Sequence, residues 1–72
     1  MRSRRTYEVV VAGRVGDSVA ESFAPLVVQS ANGETTISGA RLDAAMLGGV
    51  LRTIERMGLD LVAIRSQLDD DA

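Results

Sequence analysis

An α+β fold of two layers, with helices lying on one face of a four-stranded antiparallel sheet, is what the sequence points to. Three observations carry this. Apolar residues alternate in a run near each end of the chain, as half-buried strands require. Asn32-Gly33 sits between two further strand-like runs, the strongest short-range signal for a hairpin. Between that hairpin and the last run, Leu47, Val50, Leu51 and Ile54 recur at helical spacing. With a short capped segment after the first strand, the order reads β-α-β-β-α-β.

Each element has its own justification. Residues 1–6, with Arg2, Arg4 and Arg5, read as a flexible basic arm, and residues 7–67 as one domain. The first strand is expected over Tyr7 to Val15, with Tyr7, Val9, Val11, Gly13 and Val15 on one face and Glu8, Val10, Ala12 and Arg14 on the other. Gly16-Asp17 breaks it. Ser18 with Glu21 has the spacing of a capping box, and Pro25 limits the first helix to about Ala24. Val19 and Phe23, four apart, would hold its inner face. The hairpin spans Leu26 to Gly39, and a type I′ turn at Asn32-Gly33 sets Val28 opposite Ile37 and Ser30 opposite Thr35. The second helix is expected from an Asp43 N-cap to Met57, with Gly58 in the left-handed position after its end. Gly48 and Gly49 inside that helix are expected to mark either close packing against the first helix or the sheet, or a smooth patch that a ligand or partner backbone approaches. The last strand runs from Leu59 to Gln67 with both faces apolar, and residues 68–72 read as a solvated acidic tail. This order and pairing is that of ferredoxin-like domains.

Composition narrows the function. A chain of 72 residues buries only about 60% of its unfolded surface, and one without cysteine or histidine has neither a disulfide nor a structural zinc site to add stability. No metal and no cofactor is expected. Eight arginines and no lysine fit a GC-rich coding bias, or selection for bidentate contacts to carboxylate or phosphate. A formal net charge of −2 supplies no broad basic field for nucleic acid. One Tyr and one Phe are too few to stack bases on a sheet. No apolar run is long enough to span a bilayer, no secretory pattern opens the chain, and lack of cysteine fits the cytoplasm.

The stretch Leu42-Asp43-Ala44-Ala45-Met46-Leu47-Gly48-Gly49-Val50-Leu51, the later Met57-Gly58-Leu59-Asp60-Leu61-Val62, the hairpin Gly33-Glu34-Thr35-Thr36-Ile37-Ser38-Gly39 and the opening strand Tyr7 to Gly16 together resemble a group of small uncharacterised actinobacterial proteins. That group typically shows a G-x-T-x-L-x-G hairpin, a D-Q-A-x-L-H-G-x-L helix and a closing L-G-L-x-L. The resemblance covers residues 7 to 65 and implies a ferredoxin-like domain with no established activity. Ala44 stands where the group often has Gln, and Gly48 where it often has His, so a function needing that pair is not implied here.

Without His, Cys or Lys, acid–base catalysis would fall to Asp, Glu or Tyr7, and capping accounts for Asp17 and Glu21. No enzyme is expected. Two readings remain. In the first, Val10, Ala12 and Val27 lie on the sheet face away from the helices, beside either Val62 and Ile64 or Leu61 and Ala63. A non-catalytic interaction or regulatory module would then self-associate as a homodimer, or dock on a protein partner, through that face or through an edge strand. In the second, the turn Gly13-Arg14-Val15-Gly16-Asp17 binds a small metabolite, by topological analogy with ACT-like sensors. Gly13, Arg14, Gly16 and Asp17 are its candidate residues.

Overall fold

The computed structural model describes residues 2–71, with side-chain detail for residues 5–68. Six elements follow along the chain: β1 (Arg2–Ala12), α1 (Asp17–Glu21), β2 (Val27–Ala31), β3 (Glu34–Ser38), α2 (Ala44–Arg56) and β4 (Leu61–Asp71). The strands form one sheet in the order β2-β3-β1-β4, with every neighbouring pair antiparallel. Two helices on one four-stranded sheet give the expected α+β architecture.

The core lies between sheet and helices. Val9 and Val11 of β1 and Ile37 of β3 meet Phe23, Leu42, and Val50 and Ile54 of α2, all under 6% exposed. Alternate strand residues share a face, so Tyr7, Val9 and Val11 define the helix-side face of β1, while Thr6, Glu8, Val10 and Ala12 define the open face.

The hairpin forms in the register that its turn dictates. Asn32 and Gly33 both take positive φ, 54° and 78°, as a type I′ turn requires, and Val28 pairs with Ile37 and Ser30 with Thr35. Both ends of α2 are closed by local bonds. The Asp43 side chain accepts a 2.9 Å bond from the Met46 N–H. At the other end the Leu59 N–H donates to the Ile54 carbonyl and the Gly58 N–H to that of Glu55, with Gly58 at φ 71°; these two bonds make a Schellman motif. Leu42, fully buried, occupies the residue before the cap and Leu47 the fourth position of the helix, which are the positions of a hydrophobic staple.

Four expectations change. The capping box at Ser18 is absent: Gly16 is the N-cap of α1, and no side chain caps it. The segment after α1 runs on to Leu26 through i→i+3 bonds and a cis Ala24–Pro25 peptide. β1 stops at Ala12, not Val15, because Gly13 turns away at φ 83°. At the other end the strands reach past the expected domain limits: β1 starts at Arg2 and β4 ends at Asp71, with backbone register Arg2↔Asp71 through Arg5↔Leu68. Residues expected as arm and tail therefore continue the β1–β4 pairing, whereas β3 pairs only with Val9 to Ala12 of β1. Finally, β4 contains a bulge. Val10 pairs with Ala63 but Val11 with Leu61, so Val62 is an extra residue with no opposite number.

Candidate interaction surface

The cross-strand register assigns each candidate residue to a face. On the open face, Val10 has Thr36 on one side and Ala63 on the other. It is only 2% exposed, so residues of the same chain already cover it. Ala12, opposite Glu34, is exposed. Val27 is half exposed but lies on the far edge strand, opposite Ser38, with the whole of β3 between it and Val10. Around these aliphatics the open face carries Gln29, Thr36, Ser38 and Gln67, and Glu8 accepts a 2.9 Å ion-pair bond from Arg65. The back of the sheet is mixed, not hydrocarbon.

Ile64 is not on that face. It pairs with Val9 and shares the helix-side face, as do Leu61 opposite Val11 and Leu68 opposite Arg5. Val62 belongs to the bulge. Of the two options for β4, neither holds entire: the bulge resets the alternation, leaving Ala63 on the open face and both Leu61 and Ile64 on the other. The five candidates Val10, Ala12, Val27, Val62 and Ile64 thus do not form one patch.

What the structure does gather is apolar exposure along β4. Leu61 (48%), Val62 (49%), Ile64 (42%) and Leu68 (56%) are all substantially exposed, although three of them face the helix side. The cause lies in the helical layer. α1 has five residues, and the buried stripe of α2 meets β1 and β3 through Val50 and Ile54, so the outermost strand keeps its inner face uncovered. Met57, at the end of α2, is exposed as well. Sequence pattern alone missed this stripe because strict alternation puts Leu61 and Ile64 on opposite faces. A bulge has no marker here, since Val62 is an ordinary strand residue.

The turn after β1 is built into the hairpin. The Gly13 N–H donates to the Gly33 carbonyl at 2.7 Å. Its own carbonyl accepts a 2.7 Å bond from the Thr35 hydroxyl, and Ser30 Oγ lies 2.8 Å from Thr35 Oγ1. Gly16 accepts from the Ala20 N–H. Arg14 is exposed and borders a shallow hollow of about 170 Å³ beside Asn32 and Gly33; Asp17 opens α1 and is exposed. Both backbone groups of Gly13 are engaged by the hairpin.

Gly48 and Gly49 do not mark close packing within the chain: a Cβ at either would meet nothing within 4 Å. A groove of about 280 Å³ runs along one flank, between Phe23, Leu26, Met46, Gly49 and Thr53. Among the described residues no cluster of Asp and Glu is arranged to hold a metal ion, and no helix is long and apolar enough to cross a membrane.

Neither the curated proteins nor the solved structures contain a match to this chain. One family model does match, over residues 6–65, from the middle of β1 to just past the bulge of β4. The chain therefore belongs to the family described as Domain of unknown function (DUF8691).

Proposed function

We propose that this protein is a non-catalytic interaction module that works by self-association or by docking on a protein partner, and that β4 is the part of the sheet through which it does so. One observation carries the reading. Of the six large apolar side chains that stand exposed among the described residues, four belong to β4. β4 pairs on one side only, with β1. A long edge strand with apolar side chains is a surface that proteins either blunt or cover with a partner. The strand order and the alternation of six elements support a ferredoxin-like topology, and the absence of cysteine supports a cytoplasmic address.

Sedimentation velocity over a hundredfold range of concentration tests the reading. The expected result is a mass above that of one chain, falling on dilution. A single-chain mass throughout, with no partner retained on the immobilised protein from its native cell extract, would sink it.

A further inference from the structure

Resting on that reading, we propose that the occupant of the β4 edge is β4 of a second copy, paired antiparallel about a two-fold axis at Ser66. The assembly is then one continuous sheet of eight strands.

The first argument is surface. A monomeric protein of 7.6 kDa exposes roughly 4,300 Å², whereas this chain exposes 4964 Å². The excess, on the order of 600–700 Å², approaches the ~800 Å² that each partner contributes to a standard interface. The shape agrees, since the molecule extends 39 × 23 × 18 Å and a strand of eleven residues is itself about 36 Å long.

The second argument is self-complementarity. Antiparallel pairing of a strand with its own copy opposes residues equidistant from the axis, and both then point to the same face. With the axis at Ser66, Ile64 faces Leu68 of the other copy and Leu68 faces Ile64, two apolar pairs made from side chains that are 42% and 56% exposed in the single chain. An axis at Arg65 would set that arginine against itself. One at Gln67 would put Ile64 opposite Asp70. Ser66, at the axis, is exposed and accepts a 2.8 Å bond from the Arg5 guanidinium of its own chain.

Cross-linking tests this, because the chain has no cysteine. In Ser66→Cys the two thiols would stand directly opposite, with Cβ atoms about 5 Å apart, within reach of a disulfide after small adjustment. Under mild oxidation Ser66→Cys should form covalent dimer at least about ten times faster than Ala45→Cys, whose residue is exposed on α2. Ile64→Lys should weaken the dimer by about tenfold or more, while Ala12→Arg, at an exposed position of the open face, should leave it intact. Equal cross-linking rates for the two cysteine variants in a protein that is dimeric would overturn the two-fold at Ser66 and leave the interaction reading standing. A dimer lost in Ala12→Arg but kept in Ile64→Lys would overturn it in favour of stacking through the open face. A wild-type chain that stays monomeric overturns self-association itself.

Discussion

Thr35 is the one buried polar side chain among the described residues, fully shielded from water: its hydroxyl proton goes to the Gly13 carbonyl, so Ser30 must be the donor in the bond between the two hydroxyls. Thr35→Val keeps the shape and removes both bonds. The expected loss is about 1–3 kcal/mol, because the Gly13 carbonyl loses its donor, and thermal unfolding measures it. The glycines of α2 separate into two kinds. Gly48 and Gly49 have helical backbone and open space around them, so Gly48→Ala and Gly49→Ala should each stabilise by about 1 kcal/mol. Gly58 has a positive φ, and Gly58→Ala should destabilise by about 1 kcal/mol. Denaturant midpoints for the three variants decide the sign at each position.

The elements show where sequence patterns suffice and where they do not. The hairpin and α2 were legible to the residue, because Asn32-Gly33 allows few backbone conformations and Asp43 and Gly58 mark both ends of one apolar stripe. Asp43→Ala should lower stability by about 1 kcal/mol through loss of its bond to the Met46 N–H, read as a fall in the unfolding temperature. α1 was placed correctly but its start was not. Ser18 has the composition of a cap, yet Gly16 takes the position in extended geometry, since where a chain leaves a strand depends on the turn that precedes it. The strand ends were hidden for a different reason. Arg2 to Thr6 and Leu68 to Asp71 show no apolar alternation, and their pairing rests on backbone register, which leaves no mark in composition. The face of β4 was open in the sequence and is divided in the structure, because one unpaired residue changes which side chains share a side.

Taken together, the layers are unequal. A short α1 and a single full-length α2 cover the inner strands well and the outer one poorly, which leaves a thin core and an uncovered strand in the same small protein. Where a partner covers that strand, association adds to folding stability and makes it depend on concentration. The unfolding temperature of the wild-type chain should therefore rise with protein concentration, and that of Ile64→Lys should not; differential scanning at several concentrations reports both. An unfolding temperature independent of concentration would disconnect assembly from stability.

The surplus amino acid at position 62 has a consequence for how this domain tolerates change in length. Excision of Val62 would join Leu61 to Ala63, and both would retain their present opposites, Val11 and Val10. A shortened gene product of this kind is expected to fold with its ladder made regular, a rare site at which an in-frame codon loss inside a sheet does no harm to the pairing.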